Sequence, residues 1–260
     1  MPGDTLRMVA LTPDRLGRLP CCGIMNTRHE GHICKTAWLK EQLRLGLRAR
    51  LLLTEDGHQV GYIEYLPGEL AWRGVDAAGY LFVHCIWTFY KKYQRQGNAV
   101  RLVRACVKDA RAAGTRGVAV VARTKPWLAS SDLFLKCGFE VVATAPPDYA
   151  LLAKKFRKRD PDPSFLPVSE ARIKRYSRGL TIIHAAQCPH GVKFAREIGA
   201  MAEREFGLEP RHVVLRSCRD ARKAPTPYAV FGVILDGTVV ADHQISKTRF
   251  ANIMRHRLRP

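Results

Sequence analysis

No apolar run in this 260-residue chain reaches the roughly 18 residues that a membrane span needs, and its N-terminus lacks the apolar stretch of a secretion signal. The reading is a cytoplasmic protein with no membrane partner. Acidic residues are scarce as well: 23 Asp and Glu stand against 43 Lys and Arg, a formal net charge of +20. The excess is spread over both halves of the chain rather than held in a tail, which favours a polyanionic partner such as nucleic acid. Solvated basic faces are the plainer explanation. The eight cysteines are scattered, and a chain of this length buries enough surface to need no disulfide staples, so most are expected as reduced thiols.

Apolar sequence is plentiful, at 47% of residues. Runs at residues 6–12, 48–54, 59–66, 80–89, 116–124, 139–145 and 149–156 read as strands. Helical spacing lies between them: Trp38, Leu39, Leu43 and Leu47 within residues 35–47, then Val100, Val103 and Val107 within 99–113. A third helix runs from Trp127 to Lys136 and ends at the C-cap glycine Gly138. The pattern predicts an α/β (α+β) domain over residues 1–157. Prolines 161, 163 and 167 interrupt a basic stretch, so residues 158–178 read as a linker. A second, smaller α/β pattern fills residues 179–260: a strand at 180–187, a helix from Pro189 to Phe206, a strand at 212–218 and a hairpin turning at Asp236-Gly237.

One stretch carries chemistry on its face. "YKKYQRQGNAVRLV", residues 90–103, sets a glycine-containing turn between a strand pattern and an amphipathic helix. The backbone N–H groups of Gly97, Asn98 and Ala99 at that helix start have no intrahelical acceptor and suit a phosphate. Gly97 also lets a ligand approach the main chain closely.

The order strand, Gln94-Arg95-Gln96-Gly97-Asn98-Ala99, helix, strand, helix, Gly138-Phe139 resembles the GNAT N-acyltransferase superfamily over residues 5–156. With the second domain it looks like the YoaP-type group, in which a GNAT domain precedes a smaller one. The resemblance implies a mixed central sheet, the pyrophosphate of acyl-CoA held at Gln94 to Ala99, and a reaction centre lined by the strand of His84 and Cys85. Acyl transfer needs a neutral amine, donors for the developing oxyanion and a proton for the leaving group. His84, in mid-strand beside the turn, and Glu64, on one face with Tyr62 by strand alternation, are the candidate bases. Alternation sends Cys85 the other way, into the core.

Many members of the family carry a tyrosine four residues before the glycine of Gly-Phe, where it protonates the departing thiolate. Phe134 stands there. That departure, with the charge, raises an aminoacyl-tRNA as the donor, since its leaving group is a ribose hydroxyl. Its phosphates would reward Lys91, Lys92, Lys154, Lys155, Arg157, Lys158, Arg159, Lys174, Arg175 and Arg178. The expectation is an amide-forming N-acyltransferase with a small-molecule amine as acceptor, leaning to an aminoacyl-tRNA donor. Acyl-CoA is the alternative co-substrate, and no cofactor is tightly bound. A basic nucleic-acid-binding module without catalysis is a third reading.

"CCGIMNTRHEGHIC", residues 21–34, matches no standard zinc spacing, so no metal is expected. In GNAT folds the region before the first helix forms part of the acceptor pocket, which implicates Cys21, Cys22, His29 and His32. The second domain resembles a thioredoxin-like fold: a strand runs into Cys188-Pro189-His190-Gly191 and a helix, and Thr226-Pro227 stands where that fold has a cis-proline. Gly191 replaces a second cysteine, so dithiol exchange within the motif is impossible and a scaffold role is expected.

Overall fold

Residues 117–122, Gly-Val-Ala-Val-Val-Ala, carry no side chain that water would hold, and they are buried on both faces inside a seven-stranded sheet. The computed structural model describes residues 5–18, 23–124 and 126–258. In chain order the first elements are β1 (Arg7–Ala10), α1 (Glu30–Arg44), β2 (Arg48–Leu53), β3 (Gln59–Pro67), β4 (Val75–Asp76) and β5 (Tyr80–Thr88). They are followed by α2 (Asn98–Ala112), β6 (Gly117–Ala122), α3 (Ser131–Leu135), β7 (Glu140–Ala145), β8 (Tyr149–Lys155) and β9 (Ser164–Phe165).

The sheet order is β1-β2-β3-β5-β6-β8-β7. All neighbours are antiparallel except β5 and β6. A parallel pair needs a crossover, and α2 supplies it. Leu102, Val103, Cys106 and Ala110, spaced as one helical face, pack α2 onto Ile63, Tyr65 and Val83. Polar contacts pin the same helix: Arg50 of β2 grips Asp109 at 2.7 and 2.9 Å, and the Tyr65 hydroxyl donates to the same carboxylate.

The chain divides into two compact units, and the partition is not a single cut. The first holds residues 1–27, 39–71 and 75–165; the second holds 28–38, 72–74 and 166–260. Helix α1 begins at Glu30, five residues before the expected start, because its inward positions include the buried polar residues His32, Lys35 and Gln42, which a count of apolar side chains passes over. The stretch read as a linker contains β9, paired antiparallel with β4, and α4 (Glu170–Lys174).

The second unit continues with β10 (Leu180–Ala185), α5 (Pro189–Phe206), β11 (Arg211–Leu215), α6 (Cys218–Arg222), β12 (Phe231–Leu235), β13 (Thr238–Ala241) and α7 (Lys247–Arg257). Its sheet order is β11-β10-β12-β13, with β10 parallel to β11 and the other pairs antiparallel. Asp236 and Gly237 turn the hairpin with φ of +46° and +77°, the sign that a two-residue hairpin loop favours. The Thr226–Pro227 bond is not cis, which corrects the expectation; the cis bond among the described residues is Pro146–Pro147. Among the described residues no helix is long and apolar enough to cross a membrane.

Candidate active site

Strand β5 runs for nine residues, yet only Tyr80 to Val83 pair with β6, facing Gly117 to Val120. Beyond that point the two strands part. A cavity of about 120 Å³ opens there, lined by His84, Cys85 and Trp87 of β5, Val121 of β6, and Leu128 and Phe134.

The cause is visible in the register on the other side of β5. Glu64 faces Cys85 while Tyr65 faces Val83, so His84 is one residue more than β3 can match. This is a β-bulge, which bends its strand and re-aims side chains. The extra residue breaks strict alternation and brings His84 and Cys85 to the same side. The His84 ring packs edge-on against Phe82 at 5.4 Å, and Cys85 sits opposite Glu64, whereas Ile86 turns back to the α2 core. Cys85 is half-buried and lines the cavity, not the core as alternation predicted. His84 is 3% exposed, and Glu64 is buried and accepts the Tyr62 hydroxyl. His84 and Cys85 are the titratable side chains of the cavity wall.

After β5 the chain makes a single 3₁₀ turn at Lys91–Tyr93 and enters α2 through Gly97, the N-cap. Gly97 has φ +77° and provides no side-chain cap, and a Cβ built there would meet nothing within 4 Å. The space beside Gly97 is open, and the first-turn N–H groups of α2 have no intrahelical acceptor. Neighbouring side chains hold the loop: Gln94 Nε2 donates to the Thr88 carbonyl at 3.2 Å, Gln96 Nε2 to Lys92, and buried Asn98 Nδ2 to Tyr93 at 2.9 Å. Arg95, exposed, takes a left-handed φ of +59°. Of the six residues assigned to phosphate, Gln94, Gln96 and Asn98 thus shape the turn with their side chains.

Phe134 is wholly buried and packs edge-on against Phe139 at 5.5 Å, so the side chain four residues before Gly138 has no hydroxyl to offer. Sequence reasoning passed over an aromatic chain beside it in the fold. Ring centroids step from Trp87 to Phe89 to Tyr90 to Tyr93 at 6.5, 6.4 and 6.3 Å. Gly23 lies against this surface, its Cβ position 3.7 Å from the Phe89 ring, and Met25 Sδ is 4.0 Å from the Tyr90 hydroxyl.

Of the expected acceptor residues, Cys21 and Cys22 lie outside the described residues. His29 and His32 fall in the second unit, where His29 Nδ1 accepts the Gly31 N–H at 3.0 Å and buried His32 lies 3.4 Å from Thr36 Oγ1. The described part of the loop that meets β5 is Gly23 to Thr27. Among the described residues no three His, Cys, Asp or Glu gather as a metal site.

The basic residues assigned to a nucleic acid do not form one free set. Lys154 Nζ caps the end of α3, donating to Cys137 and Gly138 carbonyls at 2.7 and 3.3 Å, and Lys155 is paired with Asp162 at 2.7 Å. Lys91, Lys92, Arg157, Lys158, Arg159, Lys174, Arg175 and Arg178 are exposed.

The chain is similar to known proteins. The chain is 29% identical over 240 residues to the uncharacterized N-acetyltransferase YoaP of Bacillus subtilis, covering 90% of this chain and 92% of that one. Among solved structures, the GNAT family N-acetyltransferase YhbS of Escherichia coli in complex with CoA covers 59% of this chain and 83% of its own at 15% identity and a TM-score of 0.41. A GNAT family acetyltransferase from Brucella melitensis in complex with acetyl-CoA covers 63% and 97% at 14% identity and a TM-score of 0.40. The acetyltransferase (GNAT) family model matches residues 21–139, the stretch that holds the parted strands, the Gly97 turn and Gly138-Phe139.

Proposed function

We propose that the first unit is an N-acetyltransferase that moves the acetyl group of acetyl-CoA to a small amine. The observation that carries the reading is the parting of β5 from β6 beside a helix start capped by glycine. Strand β5 beyond Val83 has backbone groups turned away from any β6 partner, and an extended amide-bearing arm such as pantetheine pairs with such an edge. The N–H groups at Gly97 take the pyrophosphate. His84 accepts the amine proton, directly or through one water, and buried Glu64 with Tyr62 holds a cationic acceptor before it is deprotonated. Cys85 takes the place left by the missing phenol and supplies a proton to the leaving thiolate.

The alternative donor, an aminoacyl-tRNA, loses Lys154 and Lys155 from its basic track, because both are occupied within the fold. The family match and the N-acetyltransferase relative favour acetyl-CoA. We read the second unit, with its β-α-β and β-β-α order, as thioredoxin-like. The test is incubation of the full chain with acetyl-CoA and a panel of small amines, following released thiol and the mass of the product. Acetylated amine with stoichiometric CoA supports the reading. Transfer from aminoacyl-tRNA with none from acetyl-CoA refutes it.

A further inference from the structure

The edge of the second sheet and the last helix of the second unit enclose a groove. Among the described residues, strand β13 pairs with β12 alone. In that pairing Val239 faces Ile234 and Ala241 faces Val233, so Val240 is one residue more than β12 can match. Such a bulge re-aims side chains, and Val239 and Val240 both line the groove, where strict alternation would send one of them away. Ile253 of α7 completes this aliphatic floor, and all three side chains are half-buried.

The walls are polar and cationic. Arg249, Asn252, His256 and Arg257 line the same cavity of about 460 Å³ and are exposed. With Ile253 they form one face of α7, while Phe250, Ala251 and Met254 anchor its buried face. Among the described residues neither arginine has a carboxylate partner. Arg257 stands in the last turn, where a cation suits the negative end of the helix without any ligand. Arg249 is different. It stands in the first turn, at the positive end, where α7 has no acidic residue. Its charge is set against the field of its own helix and lines the groove.

We propose that this groove binds a small aliphatic dianion, a hydrocarbon chain with a carboxylate or phosphate at each end. Arg249 and Arg257 are eight positions apart, about 12 Å along the helix, and helix side chains lean alike towards the N-terminus, so their guanidinium groups keep that spacing. Ile253 lies midway between them, and with Val239 and Val240 it gives the hydrocarbon an apolar bed. Each guanidinium pairs with its head through two parallel hydrogen bonds. The volume suits a small molecule, whereas a folded partner would cover roughly 20–30 residues. Among the described residues no Phe, Tyr or Trp lines the groove to stack a nucleic-acid base.

The test is calorimetric titration of the full chain, with methyl NMR of Val239, Val240 and Ile253 to locate binding. The probes are azelate, a dicarboxylate, and the alkanediol bisphosphate of matching length. At least one should shift these methyl signals and bind about tenfold or more tighter than nonanoate, which keeps the chain and lacks one head; the tighter of the two names the head. Succinate, too short to reach both arginines, should bind no better than inorganic phosphate. Arg249→Gln and Arg257→Gln should each bring the preferred dianion down to the level of nonanoate. Neither alters the buried face of α7, so both should keep the melting temperature. Dianions that do not bind at millimolar concentration, that bind no tighter than nonanoate, or that keep their affinity in both Gln variants overturn the proposal. So does an acidic peptide or an oligonucleotide that shifts the same methyl signals at lower concentration than either dianion, which gives the groove to a macromolecule.

Discussion

Replacing Gly97 by valine separates the cost to the fold from the cost to the site. The residue has φ +77°, so an L side chain is strained there by about 1–2 kcal/mol. No atom lies within 4 Å of the added Cβ, so no clash is added to the strain. The folded chain should survive with a melting temperature lower by a few degrees. The methyl groups would fill the open space beside Gly97, where the phosphate is proposed to sit. Each hydrogen bond from a first-turn N–H to a phosphate contributes about 1.5–3 kcal/mol, so losing two weakens donor binding by about 100-fold or more. Gly97→Ala carries the same strain with less bulk and should show the stability loss with a smaller loss of affinity. Calorimetric titration with CoA, beside thermal unfolding, reads both effects. A folded Gly97→Val protein that binds CoA as tightly as the wild type refutes the assignment of phosphate to this turn.

His84→Gln should lower kcat by about 100- to 10,000-fold with little change in KM for acetyl-CoA, and should remove the neutral limb of the pH–rate profile; an unchanged profile excludes it as the base. Cys188→Ser should leave acetyl transfer intact, measured as product formed per enzyme, because the thiol belongs to the second unit. His184 on β10 is held down to about 4, first by burial and then by the charge of His212, against a weaker opposing effect of Glu30. The unfolded chain therefore binds its proton first: stability is full above about pH 6.5 and is lost as pH falls towards 4. Denaturant titrations at several pH values should show this slope in the second unit, and His184→Leu should flatten it.

Local signals were legible because local residues set them. The Gly97 turn and the Pro189–Phe206 helix follow from glycine, proline and apolar spacing, and each stands in the folded chain where those rules put it; the helix expected over Trp127–Lys136 is only Ser131–Leu135, capped by Ser130 and Lys136 rather than Gly138. What escaped depends on partners distant in sequence. The bulge at His84 arises from a register between β3 and β5 that no single strand encodes, so alternation misplaced Cys85. The early turns of α1 turn His32 and Lys35 inward among second-unit residues, where hydrogen bonds and a tryptophan face replace apolar burial. Helix α7 was missed because few of its side chains, Phe250, Ala251 and Met254 among them, are buried in a run of basic ones. Lys154 and Lys155 sit in a charge run that does not reveal their internal partners, the Cys137 carbonyl and Asp162.

Amide hydrogen exchange of the full chain with and without acetyl-CoA tests most directly where the donor binds. The account predicts slower exchange at the β5 amides from His84 to Thr88 and at the α2 start from Gly97 to Val100, with residues 180–258 unchanged. Protection elsewhere with these two segments unaltered, or no protection at millimolar acetyl-CoA, would contradict it.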